Sequence, residues 1–175
     1  MTYVKSNVPL PYSDDVKTKQ LNVIVGFNLF EIDEIDTKKL EFKMAFQVTL
    51  KWHEYRILHY INLKENYTEN VLPPSLAKDL WIPPLEFTNT ITRAVIEFDA
   101  MAGASLKVIR NDTNYTDKQD EFLGPNELHE GKRYSAEDNM LYLITNQRLS
   151  FKCTYDLTYY PFDHQKCIVE VRFTT

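Results

Sequence analysis

Catalysis or metal binding needs side chains that attack, shuttle protons or donate lone pairs at matched spacing, and this chain spreads such groups thinly. Its four histidines, His53, His59, His129 and His164, are scattered along 175 residues. There is no Gly-rich phosphate loop and no Gly-x-Ser-x-Gly elbow. His53 and His59 share strand parity, but six residues of extended chain cover about 20 Å, whereas zinc ligands sit about 2 Å from one ion. No metal site is expected. The acidic run Glu31, Asp33, Glu34 and Asp36 offers hard oxygen ligands suited to modulating calcium, and equally makes a solvated turn. The chain therefore reads as one without a catalytic constellation, and neither an enzyme nor a resident cofactor is expected. A formal net charge of −5 gives no electrostatic footprint for nucleic acid.

The two cysteines, Cys153 and Cys167, are the only ones present, with thirteen residues between them. In an oxidising compartment each has one intramolecular partner, and a ring of that size stabilises a fold by about 3 kcal/mol in the loop-entropy account. Three sequons, Asn66-Tyr-Thr, Asn111-Asp-Thr and Asn114-Tyr-Thr, point to the same secretory compartment and to glycans on exposed loops. No run of eighteen apolar residues occurs, so none of these segments spans a bilayer as a helix. No signal peptide opens at Met1, and the chain is expected to be a mature form.

The elements that position these groups are strands. Residues 1–20, with Pro9 and Pro11, read as an irregular lead-in with at most a short helix. From Leu21 apolar residues alternate through Val23, Val25, Phe27 and Leu29, ending in the acidic turn Glu31 to Lys39. The cleanest alternation follows: Leu40, Phe42, Met44, Phe46, Val48, Leu50 and Trp52 face a core, while Glu41, Lys43, Gln47, Thr49 and Lys51 face outward. Arg56–Leu63, Ile91–Ile96 and Ser105–Arg110 read as strands, and the proline-rich stretch 72–84 wraps over the surface with Trp81 as anchor. Met140 to Cys153 is a long strand with Leu141, Leu143, Leu149, Phe151 and Cys153 on one face. Cys167, Val169, Val171 and Phe173 repeat the pattern. Residues 111–138 form an inserted polar, glycosylated loop. One domain with a single core is expected at this length, and its class is an all-β sandwich.

The interval between the cysteines carries Tyr160-Pro161-Phe162-Asp163, four residues before Cys167. Spacing and tetrapeptide together resemble the Cys-loop family of pentameric ligand-gated ion channels. Ile35-Asp36-Thr37-Lys38 resembles that family's first hairpin tip, and Trp81-x-Pro83 its Trp-x-Pro-Asp segment, with Pro84 in place of the aspartate. The resemblance implies the immunoglobulin-like twisted β-sandwich of the receptor ectodomain, a Cys153–Cys167 disulfide, a homo- or hetero-pentamer and a small-molecule agonist of unidentified type. It also implies an extracellular position at the cell membrane, with the last strands and the pore domain following Thr175.

Site residues follow from the resemblance position by position. On the complementary side these are Gln47 and Thr49, then Tyr142 and Ile144. The principal side carries Glu86, Phe87 and Thr88, then Phe173 and Thr174. Gln47, Thr88 and Thr174 stand where amine-binding members carry aromatic rings, each worth about 1 to 2 kcal/mol to a desolvated cation, so a simple amine ligand is not expected. Glu34, Ile35 and Asp36, together with Tyr160, Pro161, Phe162 and Asp163, are implied to couple binding to the pore. Two other readings share the sequence features: a soluble pentameric ligand-binding protein of this fold, and an unrelated adhesive or carbohydrate-binding sandwich.

Overall fold

The computed structural model describes residues 8–10, 21–57, 59–60, 63, 68–110, 115–116, 133–159 and 162–174. The elements in chain order are β1 (Ile24–Asp36), β2 (Glu41–Trp52), β3 (His59–Tyr60), β4 (Glu69–Val71), α1 (Pro74–Ala77), β5 (Leu85–Phe87), β6 (Ala94–Val95), β7 (Ser105–Ile109), β8 (Tyr115–Thr116), β9 (Arg133–Ser135), β10 (Met140–Lys152) and β11 (Val171–Phe173). The chain is nearly all β, with antiparallel sheets of the sandwich class expected from the alternation. In place of one core it divides into two compact units: 1–24, 50–81 and 105–143 form the first, and 25–49, 82–104 and 144–175 the second. At 12 and 13 residues, β2 and β10 are long enough for each to contribute side chains to both units.

In the first unit β4 pairs antiparallel with β7, with Asn70 opposite Val108, and β9 pairs with both β3 and β8. Its core gathers Leu50, Trp52, Leu106, Val108, Leu141 and Leu143, all fully buried. The prolines act as the sequence suggests, with one addition. Pro74 opens a single helical turn, where its missing N–H is not needed, and Leu76 and Ala77 donate back to Pro73. That turn brings round Trp81, whose ring stands edge-on to Trp52 at 6.3 Å. The short N-terminal helix considered from sequence lies outside the described residues. Strand Arg56–Leu63 shortens to β3, because Ile57 N–H donates to the Glu54 carbonyl and turns the chain, with Arg56 clasping buried Glu54 at 2.7 and 2.8 Å.

The second unit holds the elements that carry the candidate site. Along β2 the even positions Phe42, Phe46, Val48, Leu50 and Trp52 are buried and the odd ones half-buried, the parity read from sequence; Met44 is only half-buried, and Leu40, which falls in the turn before the strand, is exposed and not in the core. Phe46, Phe87 and Phe151 pack ring against ring at 5.4 to 6.0 Å, mostly edge to face, with Phe27 and Phe42 at the margins. Such pairs add about 0.5 to 1.5 kcal/mol each beyond burial.

Strand β1 runs further than expected, through the acidic residues to Asp36. Glu31 and Asp33 are held in the strand by its pairing with β2, and Arg148 reaches both carboxylates, at 2.8 and 3.1 Å. The turn is confined to 37–40, held by Asp36 Oδ1 accepting from the Lys38 and Lys39 amides, and it closes on Leu40 at φ 58°. Ile91–Ile96 shortens to β6 and Cys167–Thr174 to β11.

Candidate functional site

Strand β11 lies against β5 in register, Val171 opposite Phe87, Arg172 opposite Glu86 and Phe173 opposite Leu85, and β6 pairs with β5 on its other edge. Alternation sends Leu85 and Phe87 inward, both 1% exposed, and Glu86 and Arg172 to the opposite face. Phe87 is thus enclosed among aromatic rings, and any part it plays at a surface is through the strand that holds it. Thr88 is exposed, and its hydroxyl donates to Glu170 at 3.1 Å. Phe173 is half exposed. Thr174 donates both its backbone N–H, at 2.9 Å, and its hydroxyl, at 3.3 Å, to the Pro84 carbonyl. Where the resemblance leads one to expect an aspartate side chain, the proline carbonyl ties these two segments together.

Glu86 anchors a charge cluster that sequence reasoning did not assemble. Its carboxylate is buried, accepts from Arg93 Nε at 2.7 Å, and accepts from Arg172 Nε at 2.9 Å and Nη2 at 2.8 Å. The hydrogen bond from Arg93, then that from Arg172, holds Glu86 below the usual carboxylate range despite its desolvation. Seven and eighty-six residues separate these partners, so the cluster becomes readable only once the β5–β11 register is known.

Gln47 is half-buried and donates to Asn146 Oδ1 at 3.2 Å. Thr49 closes on Gly26: a side-chain carbon on that glycine would meet Thr49 Oγ1 at 2.5 Å, so the close approach of β1 to β2 needs glycine there. In the first unit the Tyr142 ring is occupied by cations, with Lys51 Nζ 4.6 Å from its centroid and Lys107 Nζ at 6.0 Å. Ile144 is half-buried on β10.

Cys153 and Cys167 are bonded, with their Cα atoms 5.3 Å apart. The loop they close is pinned to the β1–β2 hairpin: Cys153 N–H donates to the Leu40 carbonyl at 2.8 Å and the Tyr155 hydroxyl to the Glu41 carbonyl at 2.9 Å. Inside the loop, Gln165 bridges the Asp156 carbonyl and Asp163, and accepts from the Asp156 amide. Ile35, Thr37, Leu157 and Asp163 line one cavity of about 490 Å³, so hairpin tip and cysteine loop share a wall. Phe162 stands 88% exposed, and Glu34 is exposed beside Asp36. Asp36 is held below the ordinary carboxylate range, chiefly by the Lys39 amide. Tyr160 and Pro161, and the sequon residues Asn66, Asn111 and Asn114, lie outside the described residues. Strands β8 and β9 fall within the stretch 111–138 and pair with each other, Tyr115 opposite Tyr134.

Among the described residues no group of three or more His, Cys, Asp or Glu is placed to hold a metal, and no helix is long and apolar enough to cross a membrane. A search of curated proteins gives no match. Residues 2–175 match a protein family described as the neurotransmitter-gated ion-channel ligand binding domain. That span takes in the bonded cysteine loop, the alternating β2 strand and the paired segments Leu85–Phe87 and Val171–Phe173, and the chain belongs to this family of ligand-binding domains.

Proposed function

We propose that the chain is the ligand-sensing extracellular part of a pentameric channel at the cell surface, in which an agonist held between neighbouring subunits drives opening of a pore. The observation that carries this reading is the direct bonding of the ligand segment to the cysteine loop. Thr88 N–H donates to Glu170 O at 3.0 Å, three residues after Cys167, and Lys152 N–H, one residue before Cys153, to Asn89 O at 2.9 Å. Strain at the segment has a short route to the hairpin tip, Glu34 to Asp36, and to the loop tip, Tyr160 to Asp163. On the principal side the agonist contacts Thr88 and Thr174, with Glu86, Phe87 and Phe173 shaping the strands beneath. On the complementary side it contacts Gln47 and Thr49, with Tyr142 and Ile144 beyond.

The ligand is not a simple amine. Gln47, Thr88 and Thr174 supply hydroxyls and an amide where a cation needs ring faces, and the Tyr142 ring already carries Lys51. The test is to express the full-length receptor and apply acetylcholine, serotonin, glycine and GABA separately. No response to either amine below millimolar concentration is expected; micromolar binding of acetylcholine or serotonin overturns the ligand reading. Phe162→Ala in the same receptor should leave affinity unchanged and impair gating. Unchanged gating removes the coupling role.

A further inference from the structure

Between β5 and β6 the chain wedges itself between the two stems of the cysteine loop. Thr90 forms a bridge with Phe151, and Ile91 N–H donates to Ser150 O at 3.0 Å. These contacts, with Lys152 N–H donating to Asn89 O at 2.9 Å, hold the leading stem, while Thr88 N–H donating to Glu170 O at 3.0 Å holds the trailing one. One side chain reaches both. Asn89 Nδ2 donates to Ile168 O at 2.7 Å and, at a longer 3.5 Å, to Lys152 O, while Asn89 Oδ1 accepts from Glu170 N–H at 3.0 Å. Lys152 immediately precedes Cys153 and Ile168 immediately follows Cys167, so the amide spans the two strands one residue outside the disulfide.

The chemistry of this position is narrow. It needs a donor group for two carbonyls and an acceptor for one amide, on a side chain one methylene long. Aspartate keeps the acceptor and loses both donors, serine offers one donor, and alanine offers nothing. The disulfide ties the stems to each other, but ties neither to the ligand segment.

We propose that Asn89 is a positioning residue that locks together the separate backbone ties of the segment Glu86–Thr88 to the two stems, so that a displacement at Thr88 is delivered to the base of the cysteine loop as one rigid movement. The functional meaning rests on Thr88 belonging to the ligand segment. The mechanical link itself needs neither agonist nor pore, so the two ideas fail separately: the link in the measurement below, the ligand reading in the receptor recordings.

The experiment uses T88C, with the native disulfide intact, alkylated with N-ethylmaleimide as a stand-in for an occupied site, and reads amide hydrogen exchange by NMR. In T88C, alkylation is expected to change exchange at Lys152, Cys153 and Glu170. In T88C/N89A, where only the backbone ties Lys152 N–H to residue 89 O and residue 88 N–H to Glu170 O remain, the same alkylation should move Lys152 and Cys153 clearly less, and Glu170 N–H, having lost its side-chain acceptor, should exchange about fivefold faster even before alkylation. T88C/N89D separates positioning from packing and serves where the alanine variant folds poorly. It keeps the Glu170 acceptor, so Glu170 should stay protected while the response at Lys152 and Cys153 is reduced as in the alanine variant. A response undiminished at Lys152 and Cys153 in either variant, or absent in T88C itself, overturns the proposal.

Discussion

Glu86 shows how one carboxylate can set the local electrostatics of a sheet face. Two guanidiniums donate three N–H bonds to it, and the carboxylate form is favoured over the acid. Because its folded pKa lies below the ordinary value of 4.5, the contribution is complete above that pH and is lost as pH falls through the depressed value. Asp36 and Asp156 shift the same way, through bonds from Lys39 and Thr158, so acid destabilisation is expected to be shared. Glu86→Gln should therefore shallow the acid limb of a stability curve followed by denaturant titration at stepped pH, while Glu86→Ala, leaving Arg93 and Arg172 without their acceptor, lowers stability across the whole range. An acid limb identical to that of the parent chain refutes the assignment. The residue scale was also the least legible in sequence. The cysteine pair and Phe162-Asp163 stood out because they are local in the chain, and Glu86 and Thr88 emerged from resemblance. Arg172, Arg93 and Asn89 were missed, since their partners lie on other strands and only the register brings them together.

Strands were easier to read than their limits. The burial alternation of β2 and β10 follows the apolar parity of the sequence, because in a half-buried strand the pleat and the hydrophobic pattern share a period of two. Composition alone suggests a turn at the acidic end of β1; pairing with β2 keeps it extended, and Arg148 supplies the counter-charge. Packing between strands makes two predictions. Phe46→Ala or Phe151→Ala, each removing a buried ring from the aromatic cluster, should cost about 3 to 5 kcal/mol in chemical denaturation. Gly26→Ala forces its new carbon onto Thr49 and should cost about 1 to 3 kcal/mol. Adding Thr49→Ala should recover most of that loss, and a double variant no more stable than Gly26→Ala places the strain elsewhere.

At the scale of the molecule, the second unit carries an uncovered apolar trough. Phe27, Leu29, Ile32 and Ile35 on β1 are each more than half exposed, and with Met44, Val169 and Val171 they line cavities of about 300 and 490 Å³. Surfaces of this kind rarely remain open in a soluble protein. This chain alone is expected to bind an environment-sensitive hydrophobic dye strongly, and Phe27→Ser with Leu29→Ser should reduce the signal several-fold without moving the disulfide. The covalent staple is global in effect too: Cys153→Ser with Cys167→Ser should lower stability by about 3 kcal/mol, read as a drop in melting temperature matched by reducing the parent chain. A melting temperature insensitive to reductant rules that out.

Leu40, where the hairpin closes, combines two demands that compete for one residue. Its carbonyl receives the Cys153 amide while its backbone, closing the turn, sits at φ 58°, a conformation to which a leucine side chain is poorly suited. For protein engineering this is a place where stability has been left unclaimed. Asparagine accepts the left-handed backbone more readily, and Leu40 is half exposed and gives up little by leaving. Leu40→Asn should raise the melting temperature and keep the bond to Cys153, yielding a hairpin and cysteine loop better suited to biophysical work than the natural pair.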